Sequence, residues 1–237
     1  MSEQSVYGPP HVVIVCGLAM EAKIAAGDDT VVVCSGDRKD LTAKLRDVAT
    51  PHMRGIVSFG LAGGLTLDLR PGAIIVANGV LALGEGFATD VAWARRMLAL
   101  LPDARYADLA GVDRPLQLPS EKHALHRRTG AVAVDMESHI AGRIARERNL
   151  PFAALRVVID PVEQMVPKAA VAGHRPDGTS DARAVAAALL KRPRDLPAVL
   201  RLALDAWTAS RALLRCRRQL GARFALMDVG HHPLDVA

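Results

Sequence analysis

Apolar residues fall along this chain in short unbroken runs rather than in alternation. Such runs occupy residues 11–16 (His-Val-Val-Ile-Val-Cys), 30–34 (Thr-Val-Val-Val-Cys), 55–59 (Gly-Ile-Val-Ser-Phe), 73–77 (Ala-Ile-Ile-Val-Ala), 131–134 (Ala-Val-Ala-Val) and 152–159. Continuous and rich in β-branched residues, they predict strands buried on both faces. Between some of them the period lengthens. Leu41, Leu45 and Val48 share one face of a helix predicted over 40–49, and Met136, Ile140 and Ile144 recur at helical spacing in a second that runs to about residue 148. Strands alternating with helices predict an α/β fold, a single domain with a mixed, mostly parallel sheet and helices on both faces.

Two stretches break the pattern. Residues 101–128 show little periodicity, and 111–115 (Gly-Val-Asp-Arg-Pro) reads as a loop. Residues 160–180 hold three prolines and two glycines and read as a lid or a connector. The chain therefore divides into a leader over 1–10, a main domain over 11–180 and a C-terminal region over 181–237.

The C-terminal region carries a long helical pattern over 197–220. Leu200, Leu204, Trp207 and Leu214 lie beside a stripe that includes Arg201, Arg211, Arg215 and Arg218. Upstream, residues 184–190 are nearly all Ala and Leu. A basic amphipathic helix of this kind suits an anionic membrane surface. A covering helix packed on the sheet, with a solvated arginine face, fits the same pattern.

Charge sharpens that contrast. The 237 residues carry 30 Lys+Arg against 25 Asp+Glu, a net +5. Between residues 182 and 223 there are ten basic side chains and two acids, so this segment alone carries +8 and the remainder −3. No nucleic-acid motif accompanies the charge, and with 3% aromatics a surface of stacked bases is not expected. Cys16, Cys34 and Cys216 match no disulfide framework or zinc spacing. The leader has no apolar core and does not read as a signal peptide. The notable uncharged segment, 71–84, spans 14 residues, too few to cross a bilayer. A cytoplasmic protein is expected, with the inner face of the cell membrane as the surface it would meet.

Three motifs could carry chemistry. Gly60-Leu61-Ala62-Gly63-Gly64 follows a predicted strand and reads as a tight turn or as backbone that approaches a ligand. Asp135-Met136-Glu137-Ser138 ends one strand and opens a helix, where acids suit the helix dipole and ligands also bind. Arg156 and Asp160 close another strand, with Asp160 before Pro161, an ordinary turn starter.

Taken in order, with Arg70-Pro-Gly-Ala-Ile-Ile-Val76 between the first two, these motifs resemble the purine nucleoside phosphorylase/nucleosidase superfamily over about residues 12–161. Within it, Gly130-Ala-Val-Ala-Val-Asp-Met-Glu-Ser-His139 looks most like the hopanoid-associated phosphorylases, which release adenine from adenosylhopane. The resemblance implies that Asp160 protonates the departing base, that Glu137 accepts hydrogen bonds from the ribose hydroxyls, and that Met136 packs beneath the sugar. Gly60, Leu61, Ala62 and Gly63 would line the same site. It also implies a homodimer and no cofactor, with phosphate as the possible co-substrate.

Aligned through Gly60, Ser58 stands where a phosphate-binding arginine would, and Leu61 where a serine would. Glu21 falls either on the hydrolases' water-activating glutamate or on another phosphate arginine. In both registers a carboxylate disfavours phosphate. Arg156 matches an arginine near the water, so water is the favoured nucleophile. Ile159 replaces the usual serine before the acid, and no base-stacking aromatic stands between Asp108 and Leu118. His123, His126 and His139 complete no ligand set and are expected at the surface or in loops; His231-His232 is expected exposed. Three functions follow: an enzyme cleaving a lipid-bearing adenine nucleoside, a nucleosidase of the methylthioadenosine/adenosylhomocysteine type, or a non-catalytic nucleoside- or membrane-binding module.

Overall fold

The computed structural model describes residues 11–173 and 175–226. The leader and the His231-His232 pair lie outside the described residues. In chain order the elements are β1 (Val12–Cys16), α1 (Ala19–Ala25), β2 (Thr30–Cys34), α2 (Arg38–Val48), β3 (Gly55–Gly64), β4 (Ile74–Ala82), β5 (Glu85–Ala88), α3 (Val91–Leu100) and β6 (Arg105–Gly111). They continue with α4 (Pro119–Thr129), β7 (Ala133–Asp135), α5 (Ser138–Arg148), β8 (Phe152–Asp160), α6 (Lys168–Ala172), α7 (Ala182–Lys191) and α8 (Leu196–Leu220).

The strands form one mixed sheet in the order β2-β1-β3-β7-β6-β4-β5, with β8 pairing to both β3 and β4. Five of the pairings are parallel; β3–β7, β4–β5 and β4–β8 are antiparallel. Strands β3, β8, β4, β6 and β7 therefore close on one another in a ring, and β1 and β2 extend from β3 as an open wing.

The continuous apolar runs have the expected cause. Along β1, Val13 and Val15 enter the core beneath α2 and α5, while Val12, Ile14 and Cys16 enter the core beneath α1, α3 and α8. Leu41, Leu45, Ile140 and Ile144 fill the first core; Trp93, Met97, Leu213 and Cys216 fill the second. The α/β class, the mixed sheet and the two helical layers agree with the sequence pattern.

Three local expectations are corrected. Residues 60–64 form no turn: they continue β3, because β8 pairs along them and β7 meets Gly63 and Gly64. Residues 101–128, poor in pattern, contain β6 and α4, and the expected loop follows Gly111 between them. β6 is exposed over its first half and buried over Leu109–Ala110–Gly111, so no run appears. α4 buries only Lys122 and Leu125, too little for an apolar stripe. The helix expected from Met136 begins at Ser138, with Glu137 as its cap. His139 is not at the surface: it is buried in α5 against Gly111, with Nε2 3.1 Å from Asp113. His123 meets Glu163 and His126 meets the Ala131 carbonyl.

The stretch 160–180 folds over the sheet's carboxyl edge. It contains α6 and a turn whose Pro176 and Gly178 carbonyls accept from Gly36 N–H and Ala19 N–H. Gly178 has φ +78°, and a Cβ there would strike the Gly17 carbonyl at 2.6 Å. Cys16 and Cys216 are buried and Cys34 is half-buried, all as free thiols. The C-terminal half of α8 is a covering helix, burying Ala209, Ala212, Leu213, Cys216 and Leu220.

Candidate active site

A cavity of about 260 Å³ opens at the carboxyl ends of β3, β7 and β8. Glu21, Leu61, Ala62, Gly63, Met136, Glu137 and Asp160 line it. Gly60 and Arg156 stand directly behind that wall. The residues singled out from the sequence thus converge on one place, although they come from four elements.

Arg156 is the hub. Fully buried on β8, its Nε lies 3.0 Å from Asp135 Oδ2 and its Nη2 lies 3.2 Å from Glu137 Oε2. Nη2 also donates to Ser58 Oγ at 2.5 Å, and Nε donates to Ser138 Oγ at 3.2 Å. Burial works against its charge, but Asp135, Glu137 and Glu21 together raise its pKa above the ordinary value. Nε and Nη2 are thereby committed to protein groups, and Nη1 donates to the Leu61 carbonyl at 3.4 Å. Gly60 makes the packing possible, since a Cβ there would sit 2.5 Å from Arg156 Nη1 and 2.6 Å from Glu21 Cδ. Ser58, which the alignment sets at a phosphate position, is fully buried behind the cavity and serves the arginine.

Glu21 enters from the first turn of α1. Its Oε2 accepts from Gly17 N–H at 3.0 Å and Leu18 N–H at 2.9 Å, and its Oε1 accepts from Leu61 N–H at 2.7 Å. Burial raises its pKa; Arg156 and the three amides oppose that. The amides at the head of α1 and on β3 form an anion cradle, and the protein's own carboxylate occupies it.

Glu137 caps α5 and presses on the backbone of Gly17, where a Cβ would collide with its carboxylate. Burial pushes its pKa up to about 8; Arg156 draws it down, and Asp135 and Glu21 add to the rise. Glu137 and Glu21 share the charge of Arg156, and burial disfavours the ionised form of both. Asp135 is fixed by Glu137 N–H at 2.9 Å and Ser138 N–H at 2.7 Å.

Across the cavity, Asp160 ends β8. Gly63 lies against it, with a Cβ position 3.4 Å from both carboxylate oxygens. Lys122, a residue the sequence pattern did not single out, reaches from α4 and donates to Asp160 Oδ2, to the Pro161 carbonyl at 2.8 Å and to the Gln164 carbonyl at 3.0 Å. Burial raises the pKa of Asp160 to about 6, and Lys122 restrains the rise. No signal in the sequence marks Lys122 beyond its place on a polar helix. The rest of the lining is apolar, including Val112, Pro115, Leu116, Ile159, Val166 and Leu202. Among the described residues, no group of three or more His, Cys, Asp or Glu is arranged to hold a metal ion.

The family model of the phosphorylase superfamily matches residues 16–192. The chain belongs to that superfamily. The match spans every residue of the cavity wall named above except Leu202. No curated protein matches the chain in sequence. Among solved structures it is similar to futalosine hydrolase of Helicobacter pylori (14% identity, 65% of this chain and 89% of that one, TM-score 0.57). It is also similar to the 5′-methylthioadenosine/S-adenosylhomocysteine nucleosidase of Neisseria meningitidis in complex with methylthio-immucillin-A (15%, 91% and 99%, TM-score 0.60). The Helicobacter pylori nucleosidase with butyl-thio-DADMe-Immucillin-A is similar at 15% over 89% and 99%, TM-score 0.59. At these identities the likeness is one of fold, and within this superfamily fold the cavity lies where three strands end.

Proposed function

We propose that this protein cleaves the N-glycosidic bond of an adenine nucleoside with water as nucleophile, and that its substrate carries a lipid tail, as adenosylhopane does. The observation that carries the reading is Glu21 in the anion cradle. The three amide N–H groups that could bind phosphate are filled by a carboxylate, and Arg156 is paired with the protein's own Asp135 and Glu137. A phosphate there would meet negative charge in a buried site.

In this reading Glu21 takes a proton from water as the water oxygen bonds to C1′. The C1′–N9 electrons pass to the purine, whose N7 receives the proton of Asp160. Acid catalysis of this kind contributes about 10²–10⁴-fold, and an acid with pKa about 6 is suited to neutral pH. Glu137 holds the ribose hydroxyls and Met136 underlies the sugar. The apolar wall of Leu61, Leu116, Ile159, Val166 and Leu202 suits a hydrocarbon substituent rather than a charged one.

The test is adenine release from adenosylhopane, 5′-methylthioadenosine and adenosine, each with and without phosphate. The expected result is release from adenosylhopane, independent of phosphate, with the free sugar as co-product. Sugar 1-phosphate formation would overturn the choice of water. Preference for 5′-methylthioadenosine would replace the lipid-bearing substrate by the nucleosidase type that the fold neighbours represent, and no release from any of the three would leave a binding module.

A further inference from the structure

The exposed apolar side chains of this protein are not scattered. Thirteen large ones stand out among the described residues, and six belong to α7 and α8: Leu190, Leu196, Leu200, Leu204, Trp207 and Leu214. Single exposed leucines are ordinary, but a contiguous row is not. Leu196, Leu200 and Leu204 repeat every four residues and Trp207 follows at three, which sets them in one stripe. Leu200, Leu204 and Trp207 are 57%, 68% and 60% exposed. The opposite side of α8 carries the buried residues Ala209, Leu213 and Cys216. One helix therefore has two apolar faces, and only one is covered.

Cations surround the uncovered face. Arg211 lies over the Trp207 ring at 4.7 Å, and Arg211, Leu214, Arg215 and Arg218 form a shallow depression at its end. Arg201, Arg211, Arg215 and Arg218 have no carboxylate partner among the described residues. Of the segment's two acids, Asp205 accepts from Gln164 on the cavity side, and Asp195 stands at the head of α8, away from the arginines of its C-terminal half. No helix among the described residues is long and apolar enough to cross a membrane.

We infer that α8 docks this protein on an anionic lipid surface, with the leucine stripe and Trp207 entering the headgroup boundary and the arginines meeting lipid phosphates. An unpaired cationic rim around an apolar ridge, with an indole at the junction, matches the chemistry of an interfacial helix. A second copy meeting it through the same face would set arginine against arginine. A nucleic acid would find phosphate partners but would leave the leucine ridge against a charged backbone. The surface is independent of the catalytic reading, though α8 also supplies Leu202 to the cavity wall, so the docked helix would form one side of the site's mouth.

The experiment is co-sedimentation of the full chain with phosphatidylcholine vesicles, with and without phosphatidylglycerol, at low and high salt. Quenching of tryptophan emission by brominated lipid accompanies it. Trp93 is fully buried, so Trp207 is the indole that brominated chains can reach. Binding is expected only to the anionic vesicles, fading at high salt. Quenching should accompany it and vanish in Trp207→Phe. Replacing Arg211, Arg215 and Arg218 together with Gln should lower partitioning at low salt about a hundredfold. Leu200→Gln with Leu204→Gln should abolish quenching.

The proposal is overturned if the wild type stays in the supernatant at low salt, or if it binds without quenching. It is equally overturned if Leu200→Gln with Leu204→Gln converts a dimer to a monomer in solution, which would make the stripe a contact between copies. Adenine release from a short nucleoside by the arginine variant, equal to wild type, separates loss of docking from loss of the fold.

Discussion

Lys122 and Asp160 form an ion pair at the wall of the cavity, with the lysine fully buried and its other two protons given to the Pro161 and Gln164 carbonyls. The two residues are 38 positions apart and come from α4 and the end of β8. The pair changes what removing Asp160 should do. The sequence alone suggests a variant that loses activity and keeps its fold, whereas the structure leaves a buried cation without its counter-ion.

Asp160→Asn should therefore lose turnover and also be destabilised, by about 3–5 kcal/mol, the usual penalty for breaking a buried pair from one side. Asp160→Asn combined with Lys122→Met should recover most of that stability and none of the activity. Denaturant unfolding of the two singles and the double gives the coupling directly. Additive losses would show that the pair does not interact.

Lys122→Met should also move the pH profile. With the cation gone, nothing in the pair opposes the burial that raises the pKa of Asp160 above its ordinary value to about 6. The decline of kcat/KM, which begins as wild-type Asp160 loses its proton near that pH, should shift by a unit or more to higher pH. A purely structural role for Lys122 would lower the whole curve without moving it.

Glu137→Gln should weaken nucleoside recognition above about pH 8, where Glu137 is ionised, since charge-assisted hydrogen bonds are stronger than neutral ones. A 2′,3′-dideoxy substrate should be cleaved equally poorly by wild type and variant. Its stability should respond in the opposite sense. The folded-state pKa of Glu137 is raised from 4.5 to about 8, so between those values the folded protein binds a proton that the unfolded chain has lost. Stability is then lost as pH rises through that window, at up to about 1.4 kcal/mol per pH unit for a full proton. Tm measured from pH 5 to 8.5 should fall more steeply for wild type than for Glu137→Gln. Parallel curves would sink the assignment.

Glu21→Ala should vacate the cradle formed by the Gly17, Leu18 and Leu61 amides. Activity should drop by about 10²–10⁴-fold, and added formate should restore part of it by supplying a carboxylate to the same donors. Formate without effect on a folded variant would remove Glu21 from the proposed chemistry.

Gly60→Ala tests the packing behind the wall. Its Cβ would meet both Arg156 and Glu21, and neither can move without breaking its ion pair or its amide bonds. A loss of about 1–3 kcal/mol is expected from overpacking, together with reduced activity. Urea unfolding curves that overlay those of wild type would show that the wall is more yielding than the geometry implies.

Much of this protein is legible in its sequence because burial leaves a periodic trace. Unbroken runs such as 12–16 have to be strands with water on neither side, and the spacing of Leu41 with Leu45 has to face a core. The short motifs around Leu61, Glu137 and Asp160 are readable through their resemblance to a superfamily's pattern, not through periodicity. What periodicity cannot encode is which polar groups meet. β6 exists because β4 and β7 flank it, although its own first half is exposed. Residues 60–64 stay extended because two neighbouring strands bond to them, where glycine alone would allow a turn. Ser58, set by alignment against a phosphate ligand, faces Arg156 instead because β3 and β8 pair there residue for residue. Lys122 is the clearest case. On a helix with a single buried apolar residue it looks like one more solvated cation, and only the closing of β3, β8, β4, β6 and β7 into a ring carries it to Asp160. A sequence records each side chain's aversion to water one position at a time, but the pairing of charges depends on distances that the topology alone sets.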